Sequence, residues 1–117
     1  MPGLNKVQLI GNLGRDPETR QIPKGGAVCS FAIAVNRSWR GADGKMKEAT
    51  DWFNVDAWGK LGEICQKYLS KGRLVYIEGR LQTDRVETED QVRYFTRVIA
   101  NEMQMLDKKQ EEPAVEP

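Results

Sequence analysis

The sequence predicts an all-β chain with one helix, closed as a small five-stranded barrel. Three observations carry this. Apolar and polar residues alternate in five separate runs along the 117 residues, and a period of two belongs to strands, whose successive side chains point to opposite faces. Between the third and fourth runs the period changes to the 3.6 of a helix. Glycine, proline and charge clusters separate the runs, as turns do.

The first strand is Val7-Gln8-Leu9-Ile10-Gly11-Asn12-Leu13, which runs into a turn at Gly14. Arg15 to Arg20 reads as a polar connection, because Pro17 has no N–H to offer a ladder. After a turn at Pro23-Lys24-Gly25-Gly26, Val28 to Asn36 is the second strand. Cys29, Phe31, Ile33 and Val35 form one of its faces, and the small Ser30, Ala32 and Ala34 form the other, where a ligand or another chain can come close. Gly41-Ala42-Asp43-Gly44 breaks the pattern and predicts a mobile hairpin loop carrying Arg40, Lys45 and Lys47. Thr50 to Lys60 is the third strand. Leu61, Ile64, Cys65 and Tyr68 then share one face of a helix of about ten residues, with Lys71-Gly72 as its C-terminal signal. Leu74 to Thr83 and Arg93 to Met105 are the last two strands, joined by a charged loop over residues 84–91 whose one apolar residue is Val86. Lys108 to Pro117 has no pattern and holds two prolines, so residues 107–117 are expected to be a disordered tail after a domain of residues 1–106. One helix between the third and fourth of five strands is the order of the oligonucleotide-binding (OB) barrel, in which strands 2 and 3 and the loops 1–2 and 4–5 frame a binding face.

The chemistry converges on that face. All three tryptophans lie between positions 39 and 58. In the third strand Phe53, Val55 and Ala57 make an apolar side, while Trp52, Asn54, Asp56 and Trp58 share the other. Trp39 is flanked by Arg37 and Arg40, and Lys45, Lys47 and Lys60 complete a cationic surround. A single tryptophan is more often core or a subunit seam. Two on the polar side of one strand, with a third nearby among cations, suit an unpaired nucleic-acid strand, because rings stack on any base and cations hold phosphates.

Composition excludes more than it proves. There is no histidine, which removes the commonest general base and most transition-metal sites. No Gly-x-Ser-x-Gly elbow or phosphate-cradling Gly-Lys-Ser/Thr loop occurs. Asp51 and Asp56 are five apart on a strand and so on opposite faces. No enzyme activity, metal or cofactor is expected. Cys29 and Cys65 form no CxxC pair and read as two buried thiols. No apolar run nears the roughly 20 residues of a membrane span, and the N-terminus lacks the features of a signal peptide, so a cytoplasmic location is expected. The net charge of +1 hides an uneven spread: residues 1–106 hold 16 bases against 13 acids, a balance of +3.

Several stretches together resemble the bacterial single-stranded-DNA-binding proteins. They are Asn5-Lys6-Val7 through Gly11-Asn12-Leu13-Gly14-Arg15-Asp16-Pro17-Glu18, then Trp58-Gly59-Lys60-Leu61, Tyr68-Leu69-Ser70-Lys71-Gly72, Val75-Tyr76-Ile77-Glu78-Gly79 and Met103-Gln104-Met105-Leu106. In that family Phe is more usual than Trp before Gly-Lys-Leu. The resemblance implies sequence-independent binding and protection of single-stranded DNA in replication, recombination and repair, by a homotetramer of barrels with the strand wrapped outside. Position by position it implies base stacking by Trp39, Trp52 and Trp58, and phosphate contacts by Lys6, Lys47, Lys60 and Lys71, with Arg40, Arg85 and Arg93 in the same role. Asn54 joins them as the polar residue between two stacking rings. Phe53 and Tyr76 are expected at or near subunit contacts, in a tetramer of D2 symmetry.

Two departures stand out. The family's aromatic in the 4–5 loop is replaced by Val86, within Thr83-Asp84-Arg85-Val86, so that loop is expected to touch DNA lightly. The chain ends Glu111-Glu112-Pro113-Ala114-Val115-Glu116-Pro117, without the acidic Pro-Phe tip by which family members dock repair proteins, and recruitment through the tail is not expected. The rival reading is an adaptor barrel, related by fold, that binds replication-restart proteins more than DNA; the retained tryptophans disfavour it.

Overall fold

The computed structural model describes residues 2–23 and 25–107. Its elements are β1 (Val7–Leu13), β2 (Glu18–Gln21), β3 (Ala27–Arg40), β4 (Met46–Trp58), α1 (Gly59–Tyr68), β5 (Leu74–Glu87) and β6 (Val92–Met105). The sheet order is β1-β5-β6-β4-β3, and β1 pairs back onto β3 to close a five-stranded barrel, with β2 paired farther along the same edge of β3 that β1 closes.

Closure needs two contrasting joints. β1 meets β3 over Asn12↔Ala34 and Leu13↔Ile33, antiparallel. Here a Cβ on Gly11 would overlap the Ala34 carbonyl, so only glycine lets the backbones approach this closely. On the other side β4 and β6 run parallel, paired at Val55↔Val98 and Asp56↔Ile99. The alternation read from sequence fills the interior: Leu9, Leu13, Phe31, Ile33, Val55, Val75, Ile77 and Val98 are buried together.

Four sequence expectations change. The stretch after Gly14 is not wholly a connection, because Glu18–Gln21 pairs antiparallel with Ala27–Ser30. All four β2 side chains are exposed, so no apolar period marks the strand, and Pro17 precedes the ladder rather than breaking it. The second and third strands are longer than predicted. β3 and β4 pair continuously from Val28↔Trp58 to Arg40↔Met46, leaving a turn closed by Gly41 N–H donating to the Lys45 carbonyl at 2.8 Å. The 84–91 loop is likewise mostly ladder: Asp84↔Phe95 through Glu87↔Val92 pair, and only Thr88 to Gln91 turns, with the Thr88 N–H on the Gln91 carbonyl at 2.8 Å. Backbone hydrogen bonds extend both ribbons where the side chains face water on both sides, so burial left no trace in the sequence.

The fourth change concerns α1. The helix buries Gly62 and Cys65, with Leu61 packed against the core, while Ile64 and Tyr68 stand half-exposed. Gly62 lies so close to the Ala57 carbonyl that a Cβ would overlap it, and that close approach rotates the helix away from the face its apolar residues suggested. Gly72 is not the C-cap. The helix closes at Leu69, whose N–H bonds the Cys65 carbonyl, and Gly72 sits in the next turn, donating to the Leu13 carbonyl at 2.9 Å. Both cysteines are free and buried, and burial pushes the Cys65 thiol up to about 12.

Asp107 is anchored: its carboxylate accepts from Arg73 Nε at 3.0 Å and from the Leu74 N–H at 3.2 Å. Residues 108–117, the rest of the expected tail, lie outside the described residues.

Candidate nucleic-acid interface

Strand β4 presents its two tryptophans as the alternation requires. Trp52 is 60% exposed and Trp58 is 45% exposed. Across the ladder Trp52 faces Ala34, Asn54 faces Ala32, Asp56 faces Ser30 and Trp58 faces Val28. The two indoles therefore stand at the ends of a row whose neighbours on β3 are the small Ala34, Ala32 and Ser30 and, beside Trp58, the buried Val28. They are six positions apart on the strand, about 20 Å at the usual rise, too far to sandwich one base and suited to two separate stacks. The Trp52 ring lies directly over Gly14, where a Cβ would collide with it. Glycine at that position is what lets the indole come this close to the end of β1.

Asp56, on the same side, is not a surface acid. It is 5% exposed, and its carboxylate accepts from Ser30 Oγ at 2.7 Å and Arg97 Nη1 at 2.9 Å. Arg97 also meets Asp84 at 3.0 Å; the Asp56 hydrogen bond, outweighing partial burial, raises the guanidinium's affinity for its proton. The pairing neutralises a carboxylate that would otherwise repel anions beside the two indoles.

Trp39 takes a different position. In register it faces Lys47, and Arg37 faces Ala49, which is the parity that becomes the core face further along β3. Its ring is 41% exposed, with the Arg37 guanidinium 4.8 Å above the ring centre and held to Asp51 at 2.9 Å. Trp39, Arg37 and Lys47 thus form one aromatic–cation cluster on the β3–β4 ribbon, and Trp52 and Trp58 belong to the opposite pleat.

The remaining sequence-predicted residues spread around this region. Lys60 is exposed in the first turn of α1, directly after Trp58. Lys71 is exposed in the turn after the helix, its own N–H held by Asp16 at 2.8 Å. Arg40 donates to the Gly44 carbonyl across the ribbon's turn. Lys47 lies 3.9 Å from Asp43, and Arg85 is paired with Glu87. Arg93 faces Val86 in register. Lys6 sits apart from the tryptophans in its contacts, 3.1 Å from Glu78, whose carboxylate also accepts from Tyr76 at 2.7 Å. The Tyr76 hydroxyl, then Lys6, hold the Glu78 carboxyl below its ordinary value. These exposed ion pairs contribute little each, and a phosphate can replace the carboxylate. Phe53 is half-buried against the core.

Sequence reading missed a second set of groups. Arg20 faces Val28, which faces Trp58, so Arg20, Val28 and Trp58 form one cross-strand row about 10 Å wide. Tyr94 and Phe95 are both substantially exposed on β6. Arg15, Arg20, Asn54, Phe95 and Arg97 line a cleft of about 320 Å³. The available signal was the pair of arginines around Pro17, but only the β2 ladder brings them to the tryptophan side. Among the described residues no group of acids and cysteines is arranged to hold a metal, and no helix is long and apolar enough to cross a membrane.

Residues 4–106 match the model of the single-strand binding protein family. The chain is 48% identical over 110 residues to single-stranded DNA-binding protein 1 of Chlorobaculum tepidum, covering 92% of this chain and 67% of that one. It is 48% identical over 104 residues to the single-stranded DNA-binding protein of Neisseria meningitidis serogroup A, covering 88% of this chain and 60% of the relative. The chain thus spans roughly two thirds of these relatives' length. Among solved structures it is similar to Plasmodium falciparum SSB in complex with ssDNA, with a TM-score of 0.84 and 34% identity over 92% of this chain and 98% of that one. It is also similar to a deletion mutant of the single-stranded DNA binding protein from Thermus aquaticus, with a TM-score of 0.81 and 30% identity over 90% of this chain and 51% of that one.

Proposed function

The chain belongs to the single-strand binding protein family, a family of non-catalytic proteins, and from that premise we propose that it binds and protects single-stranded DNA without regard to sequence. The observation that carries the reading is the β4 row: two exposed indoles flanking Asn54, opposite small residues of β3, with cations on the neighbouring turns. Indole faces stack on any base, and Lys47, Lys60, Lys71, Arg20 and Arg40 supply phosphate contacts whose counterion release drives binding. The names of the relatives and the DNA-bound Plasmodium structure point the same way. The role follows as coating of strands exposed in replication, recombination and repair, by residues 1–106 acting as one DNA-binding domain, in the cytoplasm.

The protein acts as a homotetramer. A single barrel offers a short groove, and β1 carries an exposed Ile10 beside the Gln8–Tyr76–Glu78 hydrogen-bond chain, an apolar and polar mixture suited to a seam between copies. Light scattering at micromolar concentration reads the mass directly; a monomer refutes the assembly. The DNA reading is tested by titrating the protein with labelled oligo(dT) and with a duplex of the same length. Preference for the single strand, weakening steeply with salt, supports it. Equal affinity for duplex, or no binding at low salt, contradicts it.

A further inference from the structure

Val86, where the family keeps a hairpin aromatic, has no π-face, yet the same ribbon holds an aromatic ring elsewhere. On the pleated β5–β6 ladder Val86 faces Arg93 and Asp84 faces Phe95. Val86, Asp84, Arg93 and Phe95 therefore share one side, with Phe95 diagonal to Val86 and one step nearer the barrel. Its ring is 47% exposed, a large apolar face that the protein's own core does not use.

Resting on the DNA reading above, we propose that Phe95 is the hairpin's base-stacking residue and that the cleft beside it is a nucleotide subsite. The walls have the chemistry for each part of a nucleotide. Phe95 offers the stacking face, and Asn54, from between the two tryptophans, brings an amide that both donates and accepts toward a base edge. Arg15 and Arg20 stand on the opposite wall, and among the described residues neither has an acidic side chain within salt-bridge reach. Their guanidiniums are free to bind a phosphate in the forked, bidentate manner. Arg97 completes the wall but is committed to Asp56 and Asp84 at 2.9 and 3.0 Å, so it fixes the shape of the cleft and cancels two acids. At about 320 Å³ the space lies at the small end of ligand clefts, suited to one base rather than a folded ligand.

The position also explains how an acidic ribbon can take part at all. Glu87, Glu89 and Asp90 crowd the tip, whereas Phe95 stands at the root, where Arg15, Arg20 and Arg97 converge. A strand leaving Trp52 and Trp58 can thus pass through the root while avoiding the tip.

The test is an oligo(dT) titration of the full chain at fixed salt, followed by tryptophan emission, for Phe95→Ala, Phe95→Leu, Phe95→Trp and Val86→Ala, with melting curves to confirm folding. Stacking predicts that Phe95→Ala and Phe95→Leu each weaken binding about ten-fold or more, that Phe95→Trp restores it, and that Val86→Ala leaves it unchanged. Arg15→Gln and Arg20→Gln should each lower the slope of log affinity against log salt by about 0.7. Phe95→Leu binding as well as the parent, while Trp52→Ala binds poorly, overturns this subsite and leaves the DNA reading intact. Loss of oligomer mass in Phe95→Ala with unchanged DNA affinity overturns it too, making the ring a subunit contact. A parent protein that ignores oligo(dT) removes the DNA reading itself.

Discussion

Two antiparallel ribbons leave the barrel, β3–β4 closing through Gly41 to Lys45 and β5–β6 through Thr88 to Gln91. Their backbones are alike, and together they stretch the molecule to a radius of gyration of 17.1 Å, against about 13 Å for a compact domain of this length. Their side chains differ in sign. Residues 36–50 carry Arg37, Arg40, Lys45 and Lys47 against Asp43 and Glu48; residues 82–95 carry Asp84, Glu87, Glu89 and Asp90 against Arg85 and Arg93. The first ribbon holds Trp39 under a guanidinium and leads into Trp52 and Trp58. The second holds Val86 at its outer end, with Arg85 tied to Glu87. The ladder only sets which side chains share a face; the residues placed there decide which ribbon a polyanion can approach.

The proposed stacking by Trp52 and Trp58 gives the largest expected effect. Trp52→Ala or Trp58→Ala should cost roughly 1–3 kcal/mol of single-strand affinity for each stack lost, measured by titration with a labelled oligonucleotide. Equal loss from both changes and none from Val86, at the outer end of the second ribbon, would sharpen the contrast. Val86→Trp tests whether the outer end of the second ribbon lacks only a ring: long oligonucleotides should bind tighter by about 1 kcal/mol, and no gain would mean that the acidic tip keeps DNA away. Gly14→Ala should force the Trp52 indole to shift, since a Cβ there overlaps the ring. Affinity should drop by less than Trp52→Ala costs, about 1 kcal/mol or below, with melting temperature nearly unchanged because the ring is exposed. The smallest effect belongs to Val86→Ala, expected within about 0.5 kcal/mol of the parent in both stability and binding. A loss matching that of Trp52→Ala would put the hairpin tip on the DNA path.

Burial decided what could be read from the sequence. The five barrel strands were legible because each puts one face into the core, as with Leu9, Phe31, Val55, Ile77 and Val98. So was the Trp52–Trp58 row, since a strand period places both on the side away from Val55. β2 was invisible because Glu18 to Gln21 meets water on every side. The outer halves of the ribbons were hidden for the same reason. Arg20 and Phe95 were missed as a consequence, because no local pattern tells that β2 brings Arg20 into line with Trp58, or that β6 carries Phe95 to the same cleft. Asp56 was placed on the correct face, but its burial depends on Arg97, forty-one residues away. The opposite pleat of Trp39 was hidden as well; it follows from the continuous β3–β4 register, which runs to Arg40 although the apolar alternation stops at Asn36.

The most direct measurement uses a double variant, Trp39→Phe with Trp58→Phe, in which Trp52 is the sole tryptophan. Oligo(dT) should quench its emission to a clear saturation point, and added salt should reverse the quenching as the phosphate contacts are lost. Binding of a labelled oligo(dT) by the same variant with the Trp52 emission unchanged would contradict the account, because the strand would then be held without stacking on the β4 face.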